Sequence, residues 1–101
     1  MNCVFCAIPK QDILLENEHF FVIHDHRPVS RGHSLIVSKR HTPDYFEISA
    51  EESCALLDIT KQTKALLDAR YLPKAYNLTM NCGARAGQTV FHYHMHVIPR
   101  Y

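Results

Sequence analysis

The sequence has almost no net charge and no long apolar run. Its eleven Lys and Arg residues nearly balance ten Asp and Glu residues, leaving a formal net charge of +1 at pH 7. This balance does not favour long nucleic acid or an anionic membrane surface as a partner, although a few well-placed donors can still bind a small anion. No apolar stretch approaches the roughly 20 residues of a membrane-spanning helix, so we expect no membrane partner.

The sequence also lacks a secretion signal, internal repeats and linker-like segments. Its first residues, Met-Asn-Cys-Val-Phe-Cys, show neither the basic start nor the apolar run of a signal peptide, and we therefore expect a cytoplasmic protein. The 101 residues correspond to a single domain, 1–101. A domain of this size has a thin hydrophobic core. Dimerisation is a common way to supplement such a core, and we expect a homodimer.

The four cysteines do not form the pattern of a disulfide framework. Cys3 and Cys6 make one Cys-x-x-Cys pair, whereas Cys54 and Cys82 are isolated. In a reducing compartment, metal binding is a better interpretation of the pair than a disulfide. Thioredoxin-like redox chemistry requires a strand–helix–strand setting that this sequence lacks. Because two thiolates supply only half of a tetrahedral zinc site, a zinc ion here needs two more ligands.

Apolar periodicity predicts an α+β fold, an antiparallel sheet of about five strands with one long helix. Ser49 and Glu52 form a Ser-x-x-Glu capping box that begins the helix, and we expect it to run to about Arg70, before Pro73. The predicted apolar stripe of the helix comprises Leu56, Ile59, Thr63, Leu66 and Arg70, widened by Leu57 and Leu67. The strands are predicted at residues 13–16, 20–23, 33–38, 75–80 and 90–98.

Histidine is the unusual component, since three of the eight histidines alternate at positions 92, 94 and 96. Because side chains alternate on a strand, these three imidazoles are predicted to share one face. The opposite row is predicted to pack under the helix and comprises Phe91, Tyr93, Met95 and Val97. Residues i and i+2 lie about 6.6–6.8 Å apart along a strand, which is too far for all three imidazoles to reach one zinc ion at about 2.0–2.1 Å.

The alternating spacing suits a nucleophile better than a three-histidine metal centre. The middle imidazole, His94, can attack phosphorus while its other ring nitrogen is hydrogen-bonded to the chain. A neutral imidazole forms a labile bond to phosphorus and therefore suits a two-step transfer. A flanking histidine can then assist the leaving group or bind phosphate oxygens. The pattern favours attack on a phosphate ester or anhydride.

Residues 92–98 read His-Tyr-His-Met-His-Val-Ile and match the signature His-φ-His-φ-His-φ-φ, where φ is apolar. The chain therefore resembles the histidine-triad (HIT) family. The resemblance covers nearly all of the chain, because Asn81, the Gly-Gln-Thr of residues 87–89, residues 32–37 and His41 also fit the family pattern. It implies a HIT-like fold and a nucleotide-binding hydrolase or transferase that acts on phosphorus.

The resemblance also assigns roles to single residues. His94 would attack the α-phosphorus of a purine nucleotide derivative, such as a nucleoside phosphoramidate or a dinucleoside polyphosphate. It would carry a covalent nucleotidyl intermediate that water then cleaves, while His96 would contact phosphate oxygens or the leaving group. Asp25 would bind the ribose hydroxyls. The remaining substrate-binding positions lie near the phosphate, where backbone N–H groups can also donate, and are Asn81, Gly87, Gln88 and Thr89.

Some members of the family carry an N-terminal cysteine pair that forms a four-ligand metal site together with two histidines. One of these histidines follows the third strand, and the other is the first histidine of the triad. These positions correspond to Cys3, Cys6, His41 and His92. The resemblance therefore implies a structural zinc ion, which would tie the first residues to the last strand. His33 falls where the family has an orienting partner near the active site, although a plain strand-start histidine is an almost equally good interpretation.

Two other functions remain open at this level. A non-catalytic module that binds or senses nucleotides, stapled by zinc, would use the same residues. A metal-dependent hydrolase would instead use two of the triad histidines as ligands. The sequence alone does not separate these functions from nucleotidyl transfer.

Overall fold

The computed structural model describes residues 3–101, which form one five-stranded antiparallel sheet and one long helix. The predicted α+β fold is confirmed. The strands are β1 (Leu15–Glu16), β2 (Phe20–His24), β3 (Ser34–Ser38), β4 (Ala75–Thr79) and β5 (His94–Arg100), and the helix is α1 (Ala50–Tyr71). Short 3₁₀ turns occur at Val4–Ala7, Lys10–Asp12, Tyr45–Glu47 and Ala84–Ala86. Within residues 3–101, no helix is long and apolar enough to cross a membrane.

The helix begins with the capping box that the sequence predicts. The Glu52 backbone N–H donates to the Ser49 hydroxyl (3.1 Å), and the Ser49 N–H donates to the Glu52 carboxylate (2.9 Å). Arg40 also donates twice to this carboxylate, at 2.8 and 3.1 Å, and these bonds lower the pKa of Glu52 to about 2. Such a cap satisfies N–H groups that have no partner inside the helix.

The buried stripe of α1 is narrower than predicted. It comprises Glu52, Leu56, Ile59, Thr63 and Leu67. Leu57 is 56% exposed and Arg70 is also exposed. The reason is geometric, because a single sheet covers one side of the helix and buries only residues spaced three or four apart.

The sheet order is β1-β2-β3-β5-β4, so β3 lies at its centre, β5 is paired on both sides and β4 lies at an edge. One face packs against α1 through a cluster of Phe20, Val22, Ile36, Leu56, Ile59, Leu67, Tyr93, Met95 and Val97. The other face carries a smaller cluster of Phe21, Ile23, Leu35 and Val37, which the N-terminal residues Phe5, Ile8 and Ile13 partly cover. The alternation of side chains therefore separates a helix-covered face from an open face.

Strand β5 begins at His94, although the sequence predicts a strand from residue 90. The segment before it is held by other partners, since the Tyr93 N–H donates to the Thr42 carbonyl at 2.7 Å. Phe91 is consequently 49% exposed and does not join the row under the helix, contrary to the prediction. Tyr93, Met95 and Val97 are buried there as predicted. His92 thus lies outside the strand that holds the other two triad histidines.

Candidate active site and metal centre

The open face of the sheet carries two of the triad histidines side by side. In the β3–β5 register, Val37 pairs with His94 and Leu35 pairs with His96. The two imidazole centroids are 5.4 Å apart. Because β5 is paired with β3 on one side and β4 on the other, both rings are held on a rigid element.

The ring of His94 is oriented by the backbone of the residue two positions earlier. Its Nδ1 lies 2.9 Å from the His92 carbonyl oxygen. A carbonyl only accepts, so Nδ1 carries the hydrogen and Nε2 keeps its lone pair. The Phe5 ring packs against this imidazole with a centroid separation of 5.0 Å. His94 is thus held in the tautomer that a nitrogen nucleophile requires.

His96 belongs to a small polar cluster at the ends of three strands. Its Nδ1 lies 2.9 Å from His33 Nε2, and an Asp25 carboxylate oxygen lies 3.3 Å from that same His33 nitrogen. Burial lowers the pKa of both imidazoles, and the nearby His94 lowers the pKa of His96 further. The Asp25 charge opposes both shifts without reversing them. Both rings therefore favour the neutral form.

A cleft of about 320 Å³ lies over this face and contains every residue predicted to bind substrate. Its polar lining comprises Asp25, Asn81, Gly87, Gln88, Thr89, His94 and His96, together with His26 and Arg27. Its apolar lining comprises Val4, Phe5, Ile8, Ile23, Leu35 and Val90. A second cavity of about 260 Å³ runs along β2 and shares Ile8, Ile23 and Asp25 with the first. Only the first contains both catalytic candidates, and we take it as the site.

The loop before β5 is held in shape by the amide of Gln88, which is 5% exposed. Its oxygen accepts from the Gly83 N–H at 2.7 Å. Its nitrogen donates to the carbonyls of Pro43 (2.6 Å) and Val90 (3.0 Å). Gly87 adopts φ +93°, a conformation that side chains rarely allow. The Gln88 side chain therefore shapes the loop from within, while Thr89 and Asn81 are exposed at the cleft.

The second cluster brings the N-terminal residues of the described chain next to the segment just before β5. The ligand atoms of Cys3, Cys6, His41 and His92 all lie within 4.8 Å of one another. Cys6 Sγ is 3.2 Å from His41 Nδ1, and His41 Nδ1 is 3.1 Å from His92 Nδ1. Cys3 Sγ is 3.3 Å from His92 Nδ1. The structure thus brings together all four residues that were predicted to be metal ligands.

This cluster fits a tetrahedral zinc ion. Zinc–sulfur bonds of about 2.3 Å and zinc–nitrogen bonds of about 2.0–2.1 Å place neighbouring donors about 3–4 Å apart. The contacts of Cys6 and His92 with each other and with His41, and that of Cys3 with His92, are 3.1–3.5 Å long. His92 Nε2 lies 2.6 Å from the Ser38 carbonyl and must donate to it, so Nδ1 presents its lone pair to the cluster. Burial also lowers the pKa of His92, which favours the neutral, ligating form.

Some contributors to the site, among them Phe5 and the Ser38 carbonyl, were not among the predicted residues. Phe5 lies between the two cysteines and contacts His94, and the Ser38 carbonyl sets the tautomer of His92. The position of Phe5 inside the Cys-x-x-Cys pair is a signal that the sequence does contain. A backbone carbonyl leaves no such signal, because any residue supplies one.

Comparisons with known proteins agree with this geometry. The model of the HIT domain family matches residues 8–101. An adenosine 5'-monophosphoramidase from Schizosaccharomyces pombe is 40% identical over 106 residues, covering 99% of this chain and 75% of the relative.

Two crystal structures are similar over almost the whole chain. A HIT family member from Bacillus subtilis superposes with a TM-score of 0.91 at 34% identity, covering 100% of this chain and 74% of the other. A zinc-bound histidine triad family protein from Mycobacterium smegmatis gives 0.85 at 35% identity, covering 98% and 75%. The chain therefore belongs to the histidine-triad (HIT) family, and its Cys3, Cys6, His41 and His92 cluster fits a zinc-type member of that family.

Proposed function

We propose that this protein is a nucleotidyl hydrolase or transferase in which His94 attacks the α-phosphorus of a purine nucleotide derivative. The observation that carries the proposal is the 2.9 Å contact between His94 Nδ1 and the His92 carbonyl. It leaves the Nε2 lone pair as the nucleophile on a rigid strand. The S. pombe relative, named as an adenosine 5'-monophosphoramidase, supports chemistry of this class.

The reaction proceeds in two displacements. In the first, the His94 Nε2 lone pair forms a bond to the α-phosphorus, and the bond from phosphorus to the leaving group breaks with its electron pair. In the second, water attacks the same phosphorus and releases a proton to the solvent, while the bond to His94 breaks. The nucleoside monophosphate leaves, and Nε2 regains its lone pair. Transfer replaces this water with another acceptor.

The cleft offers partners for each part of the substrate. Carboxylate oxygens of Asp25 accept from the ribose hydroxyls, and His96, Thr89 and Asn81 contact the phosphate. Gly87 and Gln88 fix the path of the phosphate loop, as the three hydrogen bonds of the Gln88 amide support. The base packs against the apolar lining that includes Phe5 and Ile23, because flat aromatic bases bind apolar and aromatic walls well.

The zinc ion that Cys3, Cys6, His41 and His92 would hold is structural. Four protein ligands close its coordination sphere and leave no position for substrate or water. It supplies a cross-link between the N-terminal residues and the segment before β5. His92 therefore acts as a ligand, and the chemistry rests on His94 and His96.

A homodimer also remains part of the proposal. Strand β4 lies at the edge of the sheet, and within the described residues it presents Leu78 at 51% exposure, with Leu72 nearby at 80%. An unpaired edge with exposed leucines favours association with another strand. Sedimentation velocity tests this, and a monomer at micromolar concentration would contradict it.

The decisive experiment uses a panel of substrates that share a nucleoside monophosphate. Adenosine and guanosine phosphoramidates, dinucleoside polyphosphates and nucleoside diphosphate sugars are incubated with the wild-type protein, and monophosphate release is measured. We expect turnover of at least one substrate and an acid-labile nucleotidyl-histidine adduct in quenched samples.

The His94→Ala variant is the control for that panel. It is expected to lose turnover and adduct while its zinc content and unfolding temperature stay unchanged. Binding of nucleotides without turnover or adduct in the wild-type protein would instead favour a non-catalytic sensing module. Turnover that persists in His94→Ala would exclude His94 as the nucleophile.

A further inference from the structure

The second cavity adjoins the cleft at the end of β2. It has a volume of about 260 Å³, and both spaces are lined by Ile8, Ile23, Asp25 and His26. The triad residues His94 and His96 line only the cleft. The residues that line only the second cavity are Gln11, Asp12, Leu14 and His24. Asp25 therefore lies at the boundary, and the second cavity extends from it away from the triad histidines.

The shape of a nucleotide determines which of its parts can reach the second cavity. The ribose carries the phosphate on C5′ and the base on C1′, so the two groups leave opposite ends of the sugar. In the proposed function, on which this inference rests, Asp25 binds the ribose hydroxyls and His94 attacks the phosphate. A base that leaves the sugar at the end opposite to His94 then enters the second cavity.

The second cavity offers such a base both apolar walls and polar side chains. Its apolar lining consists of Ile8, Leu14 and Ile23, which suits the flat faces of an aromatic ring. Gln11 and Asp12 also line the cavity, and both are exposed, so their polar groups are accessible to a ligand. The arrangement places hydrogen-bonding groups where the edge of the base can meet them.

The backbone that carries Asp12 is held in place. Asp12 ends the 3₁₀ turn Lys10–Asp12, and its N–H donates to the Pro9 carbonyl at 3.0 Å. The Ile13 N–H donates to the Lys10 carbonyl at 3.1 Å. Ile13 also packs against the smaller apolar cluster of the open face. The Asp12 carboxylate is therefore attached to a fixed segment beside the cavity.

A carboxylate at this position distinguishes between bases. An ionised carboxylate can only accept hydrogen bonds. Guanine presents two adjacent donors, N1–H and the N2 amino group, and the two carboxylate oxygens can accept from both. Adenine presents the N6 amino group beside N1, whose lone pair would face a carboxylate oxygen. The Gln11 amide both donates and accepts, so it can pair with either base.

We propose that Asp12 is a specificity-determining residue that makes this site prefer guanine nucleotides to adenine nucleotides. Hydrogen bonds to an ionised acceptor are stronger than those between neutral groups, and a pair of them adds geometric specificity. Asp12 lines only the second cavity and does not touch the reacting atoms. Its effect is therefore on binding and not on the chemical step.

The test is isothermal titration calorimetry of the intact, zinc-loaded wild-type protein with GMP, IMP and AMP, which share the ribose and the phosphate. We expect GMP to bind about tenfold more tightly than AMP, the difference that a charge-assisted hydrogen bond supplies. IMP keeps N1–H but lacks the N2 amino group, and its affinity should lie between the two. Equal affinities for GMP and AMP, or binding of none of the three, would overturn the inference.

The Asp12→Asn variant separates base recognition from a general effect of the turn. The new amide can accept from the adenine N6 amino group and donate to N1, so we expect the preference to move from GMP towards AMP. Asp58→Asn makes the same chemical change at an exposed position on α1, outside both cavities, and should leave all three affinities unchanged. A preference for GMP that is unchanged in Asp12→Asn would refute the role of Asp12.

Turnover of guanosine and adenosine phosphoramidates adds a measurement that separates this inference from the proposed function. The ratio of the two KM values should follow the ratio of the affinities, with similar kcat for both substrates. Turnover with equal KM values would overturn the inference and leave the proposed function intact. A preference for GMP without any turnover would contradict the proposed chemistry and still support base recognition by Asp12.

Discussion

The two faces of the sheet differ in what they bury, although the same strands build both. Beneath α1, residues such as Tyr93 and Met95 pack into a continuous apolar cluster. On the opposite face, His94 and His96 alternate with Met95 and Val97 along β5 and lie beside Leu35 and Val37. The helix-covered face serves stability, and the open face holds the cleft.

This difference shows how a chain of 101 residues accommodates both a core and a site. A two-residue period lets neighbouring positions face opposite environments. Residues on the open face retain polar groups because they find partners at strand ends and in loops, as His96 does with His33. The N-terminal residues cover part of this face, and a zinc ion bound by Cys3, Cys6, His41 and His92 would hold them there.

The largest expected effect is loss of the metal centre. In Cys6→Ser we expect loss of the bound zinc ion and a fall of more than about 10 °C in the unfolding midpoint, because structural zinc contributes roughly 10 kcal/mol or more of apparent binding free energy. Zinc content and thermal unfolding measure both. Cys54→Ser is the matched control, since Cys54 is exposed on α1. Full zinc content in Cys6→Ser would contradict the four-ligand site.

Substitutions at adjacent positions of β5 test the contrast between the faces directly. Met95→Ala leaves a cavity under the helix and should lower the free energy of unfolding by about 2–5 kcal/mol. His94→Ala should change it by less than about 0.5 kcal/mol, while removing turnover. Chemical denaturation measures both values. Equal destabilisation by the two variants would show that the open face contributes to stability as much as the covered face.

Within the open face, Gln88→Ala is expected to have a smaller effect. It removes one acceptor and two donors from the loop, and an unsatisfied buried polar group costs about 1–3 kcal/mol. We expect KM for the nucleotide substrate to rise about tenfold, corresponding to about 1.4 kcal/mol, with little change in kcat. Arg85→Ala, at the exposed tip of the same loop, is the control. An unchanged KM in Gln88→Ala would show that the loop keeps its shape without the amide.

The smallest effect concerns acid stability at the start of α1. Hydrogen bonds from Arg40 lower the pKa of Glu52 from 4.5 to about 2 in the folded protein. Its stabilising contribution is thus fully present above pH 4.5 and is lost as the pH falls towards 2. Because Arg40 is half-exposed, we expect Glu52→Gln to cost only about 1–2 kcal/mol at pH 7.

Denaturation of wild-type and Glu52→Gln proteins at several pH values tests this dependence. The difference in unfolding free energy should shrink between pH 5 and pH 2.5. Glu51→Gln, an exposed neighbour in the same helical turn, should show no such trend. A difference that stays constant with pH would show that the carboxylate charge does not stabilise the helix start.

Much of the fold could be predicted from local patterns. The capping box at Ser49 placed the start of α1 correctly, because capping depends on residues within one turn. The start of β5 was predicted four residues too early, because residues 90–93 show the alternation of a strand. In the structure, the Tyr93 N–H instead donates to the Thr42 carbonyl and the His92 ring donates to the Ser38 carbonyl. Leu57 was predicted to lie on the buried stripe and is exposed, because periodicity does not reveal how wide a surface the sheet covers.

The residues of the site were predicted through the family resemblance, whereas some of their contacts were not. The four metal-ligand candidates were predicted through the family resemblance, and the structure brings them together although 89 positions separate Cys3 from His92. The cleft likewise contains the predicted substrate-binding residues. The hydrogen bonds of the Gln88 side-chain amide could not be predicted, because its partners Pro43 and Gly83 come together only in the folded chain.

By itself, the sequence determined the element types, the alternation of histidines with apolar residues along β5 and the family to which the chain belongs. These properties depend on spacing along the chain. Only the tertiary structure decided that His92 leaves the strand for the cysteine cluster, that the His92 carbonyl orients His94, and that the His33 and His96 rings lie within hydrogen-bonding distance. The reason is that the hydrogen position on an imidazole depends on the atoms that surround it, and the fold brings those atoms from distant parts of the chain.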